Sequence, residues 1–333
     1  MMSEPKVSVV IPTFNRAACV GEAIDSVLAQ TYREFEVILV DDGSTDDTAS
    51  VLAKYGDQIR VIRQANGGVS RARNTGIEAA RGECVATLDS YDVWLPEKLS
   101  IQMKCVAAYP DVIGVMVDAR VTGYGEEASM FTVRGMRENF SRRPLRERPL
   151  LDVLSVQFFT STWMLKREVI RACGMFRVGF HIYEDMELLS RVALRGAFAV
   201  DTYGGVKMRR VPEEAEALSD QQVKRKLVAV GNECEIYERL RKEPGLTPPE
   251  LKEVRLRLSD AHYRLAGLLA ANGERGKARS LRWQSVKDAP QPRALVRAAL
   301  GQFGCDGIWK RISAIARSNE GKLRRSELDA AKK

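Results

Sequence analysis

The amino-acid sequence predicts an α/β protein with a mainly parallel sheet flanked by helices, followed by an all-α region. Short β-branched strands alternate with amphipathic helices over the first third of the chain. After residue 212 this alternation gives way to long helical patterns. The chain has 333 residues, of which 45% are hydrophobic, and this is sufficient for one large core or two ordinary ones.

The alternation in the first third places four strands and four helices. The strands are short apolar runs rich in valine and isoleucine, which is typical of strands buried on both faces. Each helix has apolar residues at helical spacing, and Pro96 stands near the start of the fourth, where proline is tolerated. In chain order we predict strands at 7–12, 35–40, 59–63 and 83–88, and helices at 19–30, 46–55, 69–80 and 96–109.

The remaining sequence is less regular up to residue 212 and strongly helical beyond it. Before that point we predict strands at 158–165, 198–203 and 206–211 and a helix at 185–194. Beyond it, glycines and prolines separate helices at 220–242, 248–271, 274–287, 293–303 and 308–317. We therefore predict two domains, an α/β domain at 1–212 and a basic helical accessory region at 213–333.

The net charge of +8 belongs to the helical region. Residues 1–212 contain 27 basic and 27 acidic side chains, whereas residues 213–333 contain 25 and 17. Residues 293–333 alone contain 10 basic and 4 acidic side chains. This asymmetry suggests an anionic partner. No nucleic-acid-binding motif or aromatic-basic pattern accompanies the charge, so we expect no nucleic acid.

The cysteines and histidines give no metal or disulfide pattern. The six cysteines are widely spaced without a CxxC pair, and the two histidines lie far apart, so we expect free thiols in a reducing cytosol. No run of eighteen apolar residues occurs, so we expect no transmembrane helix. Together these features predict a cytoplasmic protein.

Polar residues follow three of the predicted parallel strands. Thr13 and Asn15 follow the first strand, Asp41 follows the second, and Asp89 follows the fourth. Because ligands of open α/β sheets bind beyond the carboxyl ends of the strands, we expect these residues to share one crevice. No GxGxxG follows the first strand, which argues against a dinucleotide-dependent dehydrogenase.

Five motifs resemble those of the family 2 glycosyltransferases with the GT-A fold, in order and in spacing. They are VVIPTFN at 9–15, VDDGS at 40–44, NGGVSRARNTG at 66–76, LDSYDVW at 88–94 and YED at 183–185. The resemblance covers roughly residues 6–210. It implies a Rossmann-like, mixed sheet and an inverting, hexosyltransferase-type enzyme of bacterial polysaccharide biosynthesis. Such an enzyme moves a sugar from a nucleotide-diphosphate donor to a hydroxyl of a saccharide or lipid-linked acceptor.

The resemblance assigns the nucleotide to the first two motifs. It implies that Pro12 and Thr13 border the base, that Asp41 accepts a hydrogen bond from its ring N–H, and that Asn15 belongs to the nucleotide-sugar site. The alternative is that Asp41 and Asp42 only form a strand-to-helix turn. We favour nucleotide binding for Asp41 and the turn role for Asp42.

The third and fourth motifs supply cationic and acidic groups near the nucleotide. Arg71 begins a helix after two glycines, and a helix start already favours anions. The resemblance places Arg71 and Asp89 near the nucleotide sugar, whereas Arg73 serves equally well as a surface ion pair.

The acidic loop departs from the family pattern, which reads Asp-x-Asp-Asp and binds a divalent cation, Mg²⁺ or Mn²⁺, through its middle aspartate. Here Tyr91 occupies that position, and a phenol is a poor ligand for a hard cation. Three outcomes are open: Asp92 or Asp89 holds the metal from a shifted position, arginines replace the metal, or activity is weak or lost. We expect retained activity and place the metal on Asp92.

The YED motif carries the expected catalytic base. An inverting transferase must remove a proton from the attacking hydroxyl, which a carboxylate does in one step. The resemblance assigns this role to Asp185; the alternative is that Glu184 and Asp185 are acids stabilised by a helix N-terminus. Glu184, His181 and Trp163 are weaker candidates for contacts with the acceptor or sugar.

Two further hypotheses concern partners and class. Residues 308–317 combine tryptophan and isoleucine with basic residues, so the segment 293–333 is compatible with an anionic membrane surface at the inner face of the cell membrane. Packing on its own domain is the alternative. The second hypothesis concerns Tyr91, which also fits a degenerate, non-catalytic sugar-nucleotide-binding or scaffolding protein that has lost its metal site.

Overall fold

The computed structural model describes residues 5–121, 128–156, 158–180, 182–208 and 220–290, together with the single positions Leu295 and Ala299. The chain divides into two compact units, Met1–Glu216 and Ala217–Lys333. The predicted domain boundary at residue 212 lies outside the described residues, and the division into two functional domains stays a prediction. His181 and, apart from those two single positions, the segment 293–333 also lie outside them.

The first unit is built on one mixed, mostly parallel sheet. Within the described residues its strands run in the order β3-β2-β1-β4-β9-β6-β10-β5, with β7 paired to β6 and β8 paired to β10. The pairs among β1 to β4 and the β6–β10 pair are parallel, whereas β9 runs antiparallel to both β4 and β6. The strands are β1 (Val7–Thr13), β2 (Phe35–Asp41), β3 (Arg60–Arg63), β4 (Cys84–Thr87), β5 (Val93–Trp94), β6 (Gly114–Val121), β7 (Ala128–Ser129), β8 (Leu145–Arg146), β9 (Trp163–Lys166) and β10 (Phe198–Met208).

The core of this unit lies around β1. All seven of its residues are buried, because β2 and β4 pair with it on either side and helices cover the sheet. β1 and β2 pair in register from Val7 with Phe35 to Thr13 with Asp41, so both strands end at the same edge. The helices of the unit are α1 (Val20–Leu28), α2 (Thr48–Ala53), α3 (Val69–Ala79), α4 (Lys98–Ala108), α5 (Met130–Val133), α6 (Arg137–Arg142), α7 (Leu150–Val156), α8 (Arg167–Ala172) and α9 (Glu184–Ala193).

Three predicted strands differ from the structure. The strand expected at 158–165 begins only at Trp163, because Thr160–Thr162 forms a 3₁₀ turn. The strands expected at 198–203 and 206–211 are one strand as far as Met208, with register shifts at Gly204 that bend the strand without ending its pairing.

The second unit contains α10 (Asp220–Leu240), α11 (Pro248–Ala271) and α12 (Arg275–Asp288). α11 starts with a reciprocal capping box between Thr247 and Glu250. Its buried face, which includes Val254 and Leu258, packs within the unit. Among the helices of the described residues, none combines the length and apolar character needed to cross a bilayer.

Candidate active site

The loops that follow β1 and β2 are tied together at the edge where both strands end. Asn15 adopts a left-handed backbone conformation with φ of 51°, which is uncommon outside glycine. Its backbone N–H donates to Ser44 Oγ at 2.9 Å, and its Oδ1 accepts from the backbone N–H of Thr45 at 2.8 Å. Asn15 therefore holds the two loops in a fixed relation at the place where the sequence predicts the nucleotide.

The two adjacent aspartates each organise a different loop. Asp41 Oδ1 accepts from the backbone N–H of Ser44 at 2.9 Å, so Asp41 makes the turn contact that we predicted for Asp42. Asp42 instead accepts from the backbone N–H groups of Gly67, at 3.0 Å, and Gly68, at 2.8 Å. The turn role predicted for Asp42 is therefore corrected: its carboxylate holds the glycine pair that precedes α3.

Asp41 also lines a cavity of about 260 Å³. The Nε of Arg63 lies 3.5 Å from Asp41 Oδ2, and the other lining residues, from α2 and β3, are mostly apolar. At the end of β1, Pro12 and Thr13 are buried, and the Thr13 hydroxyl has no hydrogen-bond partner within the described residues. A buried polar atom without a partner costs free energy unless a ligand or water satisfies it, so this edge has the character of a binding site.

The start of α3 presents an uncompensated cation. Gly68, with φ of 85°, is the N-cap, a conformation that glycine adopts without strain. Arg71, in the first turn, is exposed and lies against Gly67, and within the described part of the chain no acidic partner contacts it. A guanidinium beside free helix N–H groups is well suited to an anion.

Arg73, two residues further on, has a different role from the surface ion pair considered above. It is only 3% exposed. Its Nη2 donates to Asp89 Oδ1 at 2.7 Å, and its Nη1 donates to Glu184 Oε1 at 2.8 Å. The two carboxylates raise its pKa, so it stays charged. Arg73 thus links the acidic loop to the start of α9, where the predicted base lies.

Further contacts of α3 fix the segment that leads to α9. Asn74 donates through Nδ2 to the carbonyl of Phe176 at 2.8 Å and accepts from its N–H at 2.9 Å. Ser70 Oγ donates to the carbonyl of Phe180 at 3.3 Å. The SRARN portion of the third motif therefore combines one exposed arginine with three residues that position the chain before α9.

The acidic loop has few free carboxylate oxygens. The second oxygen of Asp89 accepts from Thr160 Oγ1 at 3.1 Å and from the phenol of Tyr91 at 3.3 Å. The pKa of Tyr91 is raised, chiefly by the charge of Asp89, so the phenol is neutral. Asp92 has no exposed surface and accepts from Ser161 Oγ at 2.6 Å. Asp92 is therefore not open to the crevice in this structure, and its role as a metal ligand stays a prediction.

Asp185 lies in the first turn of α9 and is half-buried. Burial, followed by the charge of Glu184, raises its pKa from 3.8 to about 7. The preceding residue, Tyr183, is held in a left-handed conformation with φ of 67°. Strained backbone of this kind is concentrated at functional sites. A carboxylate with a pKa near neutrality is well suited to take up a proton.

Trp163 packs in the core. Its side chain is fully buried and stacks on Phe176, with ring centroids 6.2 Å apart, and its predicted contact with a sugar stays a prediction. Glu184 serves chiefly as a partner of Arg73. Sequence reasoning missed Thr160 and Arg63, which have no motif of their own, and assigned Arg73 no specific contact. All five motifs lie in the first unit.

Comparison with known proteins now gives the class of this chain. Residues 8–174 match the sequence profile of "Glycosyl transferase family 2", half of the chain, and the chain belongs to that family. An uncharacterised glycosyltransferase of Nostoc sp. is 46% identical over 115 residues, which are 33% of this chain and 35% of the relative. The chain thus spans only about a third of that curated relative's length.

Solved structures agree in fold. A structure of S. aureus TarS, residues 1–349, in complex with UDP-GlcNAc is 18% identical, with a TM-score of 0.66, covering 92% of each chain. The mannosyltransferase PcManGT of Pyrobaculum calidifontis, in complex with GDP-Man and Mn²⁺, is 20% identical, with a TM-score of 0.58, covering 91% of this chain and 88% of its own. At these identities the likeness establishes the GT-A-like fold and confirms the predicted fold class.

Proposed function

We propose that this nucleotide-sugar-dependent enzyme is an inverting, hexosyltransferase-type glycosyltransferase that acts on a hydroxyl of a saccharide or lipid-linked acceptor. The observation that carries the proposal is the arrangement around Asp185. Its carboxylate has a pKa near neutrality, and its helix is clamped through Glu184 and Arg73 to the acidic loop. These contacts hold a base at a defined place relative to the donor side of the crevice.

The reaction is a single displacement. The acceptor hydroxyl oxygen forms a bond to the anomeric carbon while the bond from that carbon to the diphosphate oxygen breaks. The hydroxyl proton passes to a carboxylate oxygen of Asp185, and the electron pair of the broken bond leaves with the nucleoside diphosphate. Attack opposite the leaving group inverts the anomeric centre. Asp185 must be ionised before the step, which its pKa of about 7 permits near neutral pH.

The donor is assigned to the edge where β1 and β2 end. Asp41 and the cavity it shares with Arg63 suit a base that donates ring N–H groups, and Thr13 offers a buried hydroxyl without a partner in the described residues. Pro12 and Asn15 border the same edge. Asp89, which the motif places near the donor, is held there by Arg73. TarS and PcManGT were crystallised with UDP-GlcNAc and GDP-Man, so uridine and guanosine donors are the first to test.

Three features of the acidic loop argue against the divalent cation that its resemblance implies. The phenol of Tyr91 replaces the expected carboxylate. Both oxygens of Asp89 already accept hydrogen bonds, one of them from Arg73. Asp92 is fully buried. We infer that the diphosphate is held without a cation at this loop, by Arg71 and the N–H groups that begin α3.

This inference is tested by donor binding with Mn²⁺ and with EDTA. We expect the dissociation constant of the UDP or GDP sugar to be the same in both, because in the described residues the carboxylates of the acidic loop are either buried, as in Asp92, or already hydrogen-bonded, as in Asp89. Tyr91→Asp restores the missing carboxylate and is expected to make binding at least about tenfold tighter with Mn²⁺. Loss of wild-type binding in EDTA would contradict the inference.

The base assignment is tested separately with Asp185→Asn. We expect this variant to bind the donor as tightly as wild type and to lose at least about a thousandfold in turnover. Near-normal turnover with intact donor binding would show that another group takes the proton. Glu187→Gln, which removes a neighbouring acid of α9, is a control for helix disruption, since Glu187 pairs instead with Arg177 and Arg191.

A non-catalytic sugar-nucleotide-binding or scaffolding protein is the second candidate, and Tyr91 is the observation that favours it. Donor hydrolysis and transfer assays separate the two, because a scaffold binds the donor without releasing the nucleoside diphosphate. An anionic membrane surface near residues 293–333, and a place at the inner face of the cell membrane, stay predictions, since that segment lies outside the described residues. A lipid-linked acceptor would agree with the predicted membrane surface and with the predicted location.

A further inference from the structure

We propose that the helical unit of α10–α12 binds an anionic, phosphate-bearing membrane lipid in a two-part groove at one end of the three helices. The groove has a basic part for the headgroup and an apolar part for the adjoining hydrocarbon. Its lining residues belong to the helical unit, and all of them precede residue 293. The proposal does not depend on the transfer reaction.

The basic part is a cavity of about 390 Å³. It is formed where α10 ends, where α11 begins and where α12 ends, so three separate helices contribute to it. Four of its five lining residues are cationic, namely Arg241, Lys242, Arg255 and Lys287, and the fifth is Asp288. Cations that converge from three elements repel one another, and an anionic ligand would relieve that repulsion.

Acidic residues neutralise only one of these cations, Arg241, which pairs with Asp288 and, at 2.6 Å, with Glu238. Asp288 is only 5% exposed, and its carboxylate is already engaged: Oδ2 lies 2.7 Å from His262 Nδ1, and Oδ1 accepts from Arg241 Nη1 at 3.2 Å. Lys242, Arg255 and Lys287 are exposed, and none of the three makes an ion pair within the described residues. The cavity therefore has an excess of positive charge available to a ligand.

Helix dipoles explain only part of this charge. Cations in the last turns of α10 and α12 complement the carbonyl ends of those helices, which accounts for Lys287 and its neighbours. Lys252 and Arg255 lie in the second and third turns of α11, beyond the first turn to which the effect of a helix dipole is confined, so the dipoles do not account for these two cations.

The apolar part adjoins the basic part. It is a cavity of about 360 Å³, and it shares Arg255 and Asp288 with the first. Each cavity is within the range of roughly 300–1,000 Å³ that is usual for small-ligand sites. The apolar walls come from the first two turns of α11 and the residues just after α12, with Lys252 at the border: Pro248, Leu251, Leu256, Ala289 and Pro290.

The combination favours a lipid over other polyanions. A lipid headgroup places its phosphate directly beside hydrocarbon, which matches cations directly beside an apolar cavity. A single-stranded nucleic acid would need aromatic side chains for stacking, and no aromatic residue lines either cavity among the described residues. Inorganic phosphate would use only the basic part.

The test is co-sedimentation of the full chain with phosphatidylcholine vesicles that contain or lack phosphatidylglycerol. The groove variant is Lys242→Gln, Arg255→Gln and Lys287→Gln together. The matched control is Lys224→Gln, Arg275→Gln and Arg279→Gln, which removes the same charge from exposed positions near the starts of α10 and α12. Thermal unfolding of both variants verifies that they fold.

We expect wild type and the control to bind phosphatidylglycerol vesicles, and the groove variant to bind about a hundredfold more weakly. This follows from a contribution of roughly fivefold per basic side chain close to an anionic surface. Equal binding by the groove variant and the control, or no binding by wild type, overturns the proposal.

A second measurement separates a lipid from a simple anion. Short-chain phosphatidylglycerol below its micelle concentration is expected to raise the unfolding temperature of wild type, and Leu251→Asn is expected to abolish that effect. Equal stabilisation of wild type by inorganic phosphate would overturn the lipid assignment. The same holds if an oligonucleotide at equal charge concentration displaces the protein from vesicles while Leu251→Asn leaves the stabilisation by the short-chain lipid unchanged.

Discussion

Arg71 and Arg73 stand two residues apart on α3, yet the structure gives them opposite roles, and substitution by methionine separates them. Arg73 is buried and bonded at 2.7 Å to Asp89 and at 2.8 Å to Glu184. Arg71 is exposed and has no acidic partner in the described residues. We expect Arg73→Met to damage folding, and Arg71→Met to damage donor binding.

The magnitude follows from burial. Arg73→Met leaves two carboxylates, each less than a sixth exposed, without their cation, and breaking a buried ion pair costs about 3–5 kcal/mol. For a domain of this size, 1 kcal/mol lowers the unfolding midpoint by about 2–4 °C, so we expect a fall of about 6–20 °C. Arg71→Met, at an exposed position, is expected to change the free energy of unfolding by less than about 0.5 kcal/mol.

The assay is thermal unfolding of both variants, followed by titration with the donor nucleotide. Loss of a charge-assisted hydrogen bond to the diphosphate is worth about 1.5–3 kcal/mol, so Arg71→Met is expected to bind about ten- to hundredfold more weakly. An unchanged unfolding midpoint in Arg73→Met, or unchanged nucleotide affinity in Arg71→Met, would refute the reasoning. Arg73→Lys keeps the charge without the fork and is expected to fall between wild type and Arg73→Met in stability.

Three further predictions follow from single residues. The rate of transfer is expected to rise with pH through an inflection near 7, because the proposed base Asp185 must lose its proton before the reaction. Glu184→Gln is expected to move that inflection to lower pH, because the charge of Glu184 raises the pKa of Asp185. An inflection that does not move in this variant would contradict the coupling. Lys98 is fully buried over the ring of Trp94 without a hydrogen-bond partner in the described residues, and burial lowers its pKa well below 10.5. Lys98→Met is therefore expected to raise the free energy of unfolding at pH 7 by about 1–3 kcal/mol. This gain in stability shrinks as the pH approaches 10.5, because the lysine of the unfolded chain also loses its proton there. Denaturant titrations at both pH values measure the gain, and a variant less stable than wild type at pH 7 would count against the argument. Trp163→Phe is expected to lower stability by about 1–2 kcal/mol, measured by thermal unfolding, and to leave the Michaelis constants for donor and acceptor unchanged, whereas a raised constant would return Trp163 to the binding site.

The parallel half of the sheet is well predicted from the sequence because each of its strands has a local signal. β1 and β2 are apolar runs that end in polar residues, and the structure places their ends within one residue of the predicted positions. β9 and β10 were predicted less well. Thr160–Thr162 has the composition of a strand but forms a 3₁₀ turn, because its hydroxyl and carbonyl groups bond to the acidic loop and to Trp94. That bonding is a tertiary contact that no local pattern reports.

The candidate site likewise contains residues that a local sequence pattern indicates and residues whose burial depends on tertiary contacts. Motifs brought Asp185, Asp41 and Arg71 to attention, because each stands at the start of a helix or the end of a strand. They gave no warning that Asp92 and Trp163 would be buried, since burial depends on which segment covers the loop. Thr160 and Ser161, about 70 residues further along the chain, bond to Asp89 and Asp92, and Phe176 stacks on Trp163.

The contacts of Arg73 explain how the acidic loop accommodates Tyr91 in place of the aspartate that the family pattern has there. In the described residues its guanidinium already compensates one oxygen of Asp89, so the acidic loop carries less uncompensated charge than its sequence suggests. A cation at this loop would have to compete with an arginine that also holds α9, the helix of the proposed base Asp185. Replacing the middle carboxylate by Tyr91 keeps the Arg73 clamp intact, because the tyrosine hydroxyl donates to Asp89 instead of adding a further acid. Restoring the carboxylate with Tyr91→Asp should therefore create an uncompensated acid beside Asp89, and such a site gains the most from Mn²⁺.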